Sequence, residues 1–223
     1  MDYSYSCDKY MFSEDISIYY QQNTRKDGDT VIFIDDISKS FDDKCVIDGF
    51  SETLKDNTVY FVTGKSGVGK TTLARLIMGL ESTDKGKIKI KDGSKISAVF
   101  QDDALCENMS VYLNLKVVSG ASDDDISSYL EKIGLSGYEN KRIRELSGGM
   151  KRRVAILRAI LSEYDFIIMD EPFKGLDAET KQIVMDMVIE SIEGKCALII
   201  THDISEIDYF KLNMRCDIKT LNI

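Results

Sequence analysis

Short apolar runs separated by polar turns set the rhythm of this chain. Val31-Ile32-Phe33-Ile34, Cys45-Val46-Ile47 and Val59-Tyr60-Phe61-Val62 predict three successive strands, with turn signals at Asp42-Asp43 and Asp56-Asn57. Gly86 to Lys91 and Ile96 to Phe100 predict two more, and Phe166-Ile167-Ile168-Met169 and Cys196-Ala197-Leu198-Ile199-Ile200 read as short apolar strands further on. Elsewhere the period lengthens to that of a helix. Leu73, Leu76 and Ile77 give an apolar face to the segment from Lys70 to Gly79. Ser122-Asp123-Asp124-Asp125 has the form of a capping box, with Ile126, Tyr129, Leu130 and Ile133 at i, i+3, i+4 and i+7 and Gly134 as the stop. The triple aspartate is therefore a helix start and not a metal site. Another helix begins near Ser147 and turns Val154, Leu157, Ile160 and Leu161 inward. A last one bears Ile183, Val184, Met187 and Val188 and ends at Gly194.

The layout is a strand-rich start, an α/β core and a helical insertion at about residues 102–160. Residues 1–28 form an N-terminal extension, polar and rich in tyrosine (Tyr3, Tyr5, Tyr10, Tyr19, Tyr20), which reads as a surface strand or tail. The run Arg25-Lys26-Asp27-Gly28-Asp29 reads as a turn, and residues 29–223 as one domain.

Composition narrows the setting. With 223 residues, 43% hydrophobic and 30% charged, the chain has ample material for a core and the balance of an ordinary soluble globular protein. No apolar run approaches the roughly 20 residues of a bilayer span, so a membrane connection is expected to come through a partner. Met1-Asp2-Tyr3-Ser4-Tyr5-Ser6 lacks the basic start and apolar stretch of a signal peptide. A net charge of −9 argues against a broad nucleic-acid-binding surface. Cys7, Cys45, Cys106, Cys196 and Cys216 are scattered, odd in number and without a C-x-x-C pair, which points to reduced thiols.

The chemistry centres on Gly64-Lys65-Ser66-Gly67-Val68-Gly69-Lys70-Thr71-Thr72, a G-x-x-x-x-G-K-[ST] loop between a strand and a helix. Its glycines allow a tight concavity of inward N–H groups, and the helix behind it adds its positive end, so the loop suits a polyphosphate. Lys70 would reach the terminal phosphates and the Thr71 hydroxyl would bind Mg²⁺. Asp170-Glu171 end an apolar strand before Pro172, the only proline. Asp170 would complete the Mg²⁺ shell, and Glu171 would accept a proton from an attacking water. His202, the only histidine, also follows an apolar strand and would orient the γ-phosphate or that water. Leu146-Ser147-Gly148-Gly149-Met150 opens a helix with a serine cap and two bare glycines, a second anion site. Lys151-Arg152-Arg153 behind it reads as a solvated helix face.

In this order the motifs resemble the nucleotide-binding subunit of ATP-binding cassette (ABC) transporters, over roughly residues 30–210. Gly64 to Thr72 is similar to the Walker A loop and Gln101 to the Q-loop glutamine. Leu146 to Met150 is similar to the LSGGQ signature, the most specific of the set, and Phe166 to Glu171 to the Walker B strand. Gly175-Leu176-Asp177 is similar to the D-loop, and His202 to the switch histidine. Phe41 falls where the family places an adenine-stacking aromatic, although its residue type alone fits an ordinary core or edge ring.

The resemblance implies an α/β fold, a P-loop NTPase (ABC ATPase) core with an N-terminal antiparallel β subdomain and an inserted α-helical subdomain. It implies ATP and Mg²⁺ as ligands, with Thr71, Gln101 and Asp170 at the metal. It also implies head-to-tail pairing with a second nucleotide-binding subunit, identical or related. Ser147, Gly148 and Gly149 of one subunit then close on the γ-phosphate held by Lys70 of the other, with Asp177 at the shared site. Transmembrane permease subunits are the implied partners, at the cytoplasmic face of the cell membrane, and an importer adds an extracytoplasmic substrate-binding protein. Met150 in place of the common glutamine resembles nitrate/sulfonate/taurine-type importer ATPases, and the stretch from Val99 to Val111 also resembles importers. Exporter ATPases use the same motifs, and a soluble assembly-type ATPase, as in iron–sulfur assembly, also fits the length.

Overall fold

The computed structural model describes residues 30–42, 44–65 and 67–223. The expectations for the N-terminal extension and the turn at 25–29 lie outside the described residues, as do those for Asp43 and Ser66. The first half runs β1 (Thr30–Phe41), β2 (Lys44–Lys55), β3 (Thr58–Thr63), α1 (Lys70–Ile77), β4 (Lys85–Ile90) and β5 (Ile96–Val99). Then come α2 (Val111–Lys116), α3 (Asp123–Lys132), a single 3₁₀ turn (Ile143–Glu145), α4 (Gly148–Leu161) and β6 (Phe166–Asp170). The chain closes with α5 (Ala178–Ile192), β7 (Cys196–Ile200), α6 (Ile204–Asn213) and β8 (Asp217–Asn222).

The strands sort into two sheets. β2, β1 and β4 pair antiparallel in that order, while β5, β6, β7, β3 and β8 form a five-stranded sheet in which every pairing is parallel. A parallel sheet is covered on both faces, which explains why β3, β6 and β7 carry unbroken apolar runs rather than alternating. One face of β3 sends Tyr60 and Val62 towards α1 and the antiparallel sheet, where they meet Ile32, Leu54, Leu73 and Ile77. The other face sends Val59 and Phe61 towards α2, α3, α4, α5 and α6, among Leu157, Val184, Val188 and Phe210. Phe61 and Phe210 meet edge to face with ring centres 5.3 Å apart. Each such fully buried side chain contributes about 1.5–3 kcal/mol relative to exposure.

Local signals hold where caps specify them. Ser122 and Asp125 form a reciprocal capping box at the start of α3, and Gly134, at φ 68°, follows its end. Ile183 departs from expectation: it is 43% exposed. The buried stripe of α5 is centred on Val184, Val188 and Ile192 with Met185 and Met187 on its flanks, and at 100° per residue Ile183 falls beyond the Met187 flank.

β1 is bulged between Ile34 and Ile37, with Asp36 in the left-handed region at φ 49°. β4 crosses this bulge at Gly86, itself at φ 75°, where an added Cβ would lie 2.3 Å from the Asp36 carbonyl oxygen and 2.4 Å from that of Asp35. Both obstacles are backbone. Gly86→Ala is therefore expected to destabilise the protein by about 2 kcal/mol or more. Urea unfolding checks this through a lowered midpoint at unchanged slope.

Candidate functional site

Backbone register brings the candidate residues to one edge. Val62 pairs with Ile200, and Ile200 with Asp170, so the carboxyl ends of β3, β7 and β6 stand level. The ladder runs on for one residue, with Thr201 N–H donating to the Val62 carbonyl at 3.3 Å and Glu171 N–H to the Ile200 carbonyl at 2.9 Å. The phosphate-loop motif, Asp170-Glu171 and Thr201-His202 thus leave the sheet side by side.

Between β3 and α1 the loop turns through Gly64 (φ 147°), Gly67 (φ 77°) and Gly69 (φ 115°). Gly69 admits no side chain: an added Cβ would lie 2.8 Å from the Val46 carbonyl oxygen on β2. Lys70 folds back into the loop, donating to the Gly64 carbonyl at 2.8 Å and the Lys65 carbonyl at 3.0 Å, and is 9% exposed. Gly69 caps α1 without a side-chain bond, and no acidic residue stands in its first turn, so the positive helix end faces the loop unopposed. Lys65, Gly64 and Gly67 are exposed, Val68 and Thr72 partly so.

Thr71 Oγ1 donates to Asp170 Oδ2 at 2.6 Å. Asp170 is 1% exposed, and burial raises its proton affinity above the usual carboxylate range, the Thr71 hydrogen bond acting in the opposite direction. A hydroxyl and a carboxylate side by side beneath a phosphate-type loop are hard oxygen donors that fit Mg²⁺.

Glu171 sits at φ 49°, uncommon for a side chain of its size. Its Oε1 lies 2.7 Å from His202 Nδ1, a pairing of strand ends that the sequence did not foretell. The carboxylate is 16% exposed and the imidazole 66%, so the pair faces outward from the sheet edge.

Arg152 corrects the expectation of a solvated face. It is 5% exposed and donates to the carbonyls of Phe100, Asp170, Glu171 and Pro172 and to the Asp103 carboxylate. Its neighbours are engaged too: Lys151 pairs with Glu107 at 2.8 Å, and Arg153 donates to the Ile133 carbonyl. α4 packs this basic run between the sheet edge and the segments that bear Asp103, Glu107 and Ile133, and periodicity alone cannot reveal that.

The remaining candidates stand on other elements. Ser147 caps α4, its Oγ accepting from Met150 N–H at 3.3 Å, and Gly148 and Gly149 open the helix. Gly149 comes close to the loop before α5: an added Cβ would lie 3.5 Å from the Gly175 carbonyl oxygen. Asp177 caps α5 by accepting from Thr180 N–H at 3.0 Å, which holds its carboxyl below the usual range. Phe41 ends β1 with 42% of its surface exposed, and Lys39 Nζ lies 5.2 Å from its ring centre. Gln101 is exposed, two residues beyond β5. Among the described residues, none of Phe41, Gln101, Ser147 and Asp177 hydrogen-bonds to the cluster of Lys70, Thr71, Asp170, Glu171 and His202.

Sequence reading also passed over the groups that flank His202. Lys181 on α5 bridges Asp203 at 2.7 Å and Glu206 at 2.6 Å, and Thr201 Oγ1 donates to Glu206 at 2.6 Å. The residues before and after His202 are thereby tied to α5 and α6.

Comparison with known proteins follows the same lines. Residues 47–174 match the family profile described as ABC transporter. The chain is 33% identical over 185 residues to an uncharacterized ABC transporter ATP-binding protein of Haemophilus influenzae, covering 79% of this chain and 77% of that one. It is 35% identical over 196 residues to the spermidine/putrescine import ATP-binding protein PotA of Acetivibrio thermocellus, covering 79% of this chain but 55% of that protein, so it spans about half of that relative. The structure of a bacterial Atm1-family ABC exporter with ATP bound superposes at a TM-score of 0.72 with 24% identity, over 86% of this chain and 37% of the exporter's. At that identity the likeness is one of fold.

Lys181 holds the Asp203 carboxyl down at about 2, against an ordinary value of 3.8. A lowered folded-state value means that the pairing stabilises the fold above the ordinary value and is lost as pH falls towards the folded one. The stability difference between the native chain and Asp203→Asn is therefore expected to be constant near neutrality and to shrink as pH falls from about 4 to about 2. Denaturant titrations of both proteins across that range check it.

Proposed function

The chain belongs to the ABC transporter family, as one of its ATPase subunits, and from that premise we propose that two subunits close head to tail around two ATP molecules to power import through separate membrane subunits. The observation that carries the chemistry is the linked row Thr71–Asp170 and Glu171–His202 beside the Lys70 loop. No helix among the described residues is long and apolar enough to cross a membrane, in keeping with permease partners at the cytoplasmic face. Residues 29–223 would form the ATPase domain, with the helical subdomain at about 102–160.

In this reading Lys70 exchanges its two loop carbonyls for the terminal phosphates, while the loop N–H groups and the α1 end hold the remaining phosphate oxygens. Gly64, Lys65, Gly67, Val68, Gly69 and Thr72 would line that cradle. Thr71 and Asp170, joined by Gln101, would hold Mg²⁺, which when bound neutralises phosphate charge and aligns the leaving group. Glu171 takes the proton of the attacking water, and His202, already bonded to that carboxylate, fixes its direction. Ser147, Gly148 and Gly149 of the facing subunit close the site over the γ-phosphate. Asp177 stands next to the loop that Gly149 approaches. Phe41 offers its ring to the adenine.

The direction of transport rests on the relative whose name assigns import. The nitrate/sulfonate/taurine subgroup rests on Met150 alone.

Glu171→Gln is expected to lower hydrolysis about 10²–10⁴-fold while ATP binding persists, since only the proton acceptor is lost. Phosphate release and equilibrium ATP binding test this. Analytical ultracentrifugation of the variant with Mg-ATP is expected to show a dimer, and a monomer at saturating nucleotide counts against head-to-tail closure. Affinity purification of the native chain from gently solubilised host membranes is expected to recover a multi-span membrane protein. Recovery of water-soluble partners only would remove the transport reading and leave the ATPase.

A further inference from the structure

We infer that Arg152 is a positioning residue for hydrolysis, clamping the turn that carries Glu171 and joining it to the segment that carries Gln101. The inference rests on the reading of Glu171 as the proton acceptor.

A guanidinium has five N–H donors in a rigid plane. In Arg152 the contacts also number five. Nε donates to the Pro172 carbonyl at 3.0 Å, and Nη2 to those of Asp170 at 2.8 Å and Glu171 at 2.7 Å. Nη1 donates to the Phe100 carbonyl at 2.5 Å and to Asp103 Oδ1 at 3.0 Å. Three successive carbonyls therefore converge on one cation. An extended strand alternates its carbonyls, so this convergence requires the chain to turn at Glu171, where φ is 49°. The guanidinium holds in place a backbone conformation that this residue type seldom adopts. The side chain that leaves from that turn is the one bonded to His202.

The other edge of the same plane fixes Phe100 and Asp103, on either side of Gln101. Arg152 itself lies in the second turn of α4, the helix that Ser147, Gly148 and Gly149 open. A single buried group thus connects the helix that faces the second nucleotide, the proton acceptor and the glutamine segment. Lysine cannot replace it, because three donors on one nitrogen do not span acceptors spread around a plane.

The test compares Arg152→Lys and Arg152→Gln with the native chain. Single-turnover hydrolysis is expected to fall at least about tenfold, in line with the loss that a small displacement of a reacting group produces. ATP affinity is expected to stay within about twofold and binding stoichiometry near one per chain, because none of the described phosphate-loop residues bonds to Arg152. In the nucleotide-free protein, amide hydrogen exchange over 171–175 is expected to accelerate while that over 70–77 stays unchanged. In a Glu171→Gln background, Arg152→Lys is expected to add no further loss, since there is no proton acceptor left to misplace.

Full hydrolysis in Arg152→Lys together with a crippled Glu171→Gln overturns this inference alone. So does a fall in ATP stoichiometry with faster exchange over 70–77, which marks Arg152 as a staple of the whole subunit. Undiminished hydrolysis in Glu171→Gln overturns the premise about the proton acceptor, and the inference with it.

Discussion

In the five-stranded sheet all strands run one way, so their carboxyl ends share an edge and their pairing register decides which residues meet there. The pairing of Asp170 with Ile200 and of Ile200 with Val62 levels the ends of three strands that lie far apart in sequence. A one-residue slip of β6 would exchange its faces and carry Asp170 away from Thr71. What prevents the slip is burial on both sides: Phe166 and Ile168 belong to one core and Ile167 and Met169 to the other. The apolar sheet is thus the ruler against which the polar groups are placed.

At that edge two adjacent carboxylates are given different surroundings. Asp170 is buried against the Thr71 hydroxyl, and burial raises its proton affinity. A carboxylate so shielded gains most from a cation placed beside it. Glu171 turns the other way, towards a largely exposed imidazole and towards solvent, where a proton can be passed on. One residue of offset at the end of a strand separates a buried carboxylate from one paired with an imidazole, and the turn at φ 49° makes the different roles proposed for them possible.

Much of this was legible because it is local. Loop glycines at fixed spacing, a serine three residues before a capping partner, and acids at the end of an apolar run all carry their meaning within a few residues. Arg152 carried no such mark. In Lys151-Arg152-Arg153 nothing distinguishes the buried cation from its neighbours until α4 is set against the sheet edge. Lys181 was equally silent, since its partners Asp203 and Glu206 come to it only when α5 and α6 pack. β8 escaped for a different reason. Its sequence Asp217-Ile218-Lys219-Thr220-Leu221-Asn222 is that of a half-solvated edge strand, with one side chain fully engaged in the core, and it gives little periodic signal.

The contact of Gly69 with the Val46 carbonyl joins the two sheets at the phosphate loop itself. The antiparallel sheet is therefore no loose flap hung on the nucleotide site. It is seated on the loop at that glycine, and its far tip, at the end of β1, bears Phe41. Added bulk at Gly69 would therefore shift the antiparallel sheet against the loop, so that on the proposed reading a strand with no catalytic side chain helps set the span between the base and its phosphates.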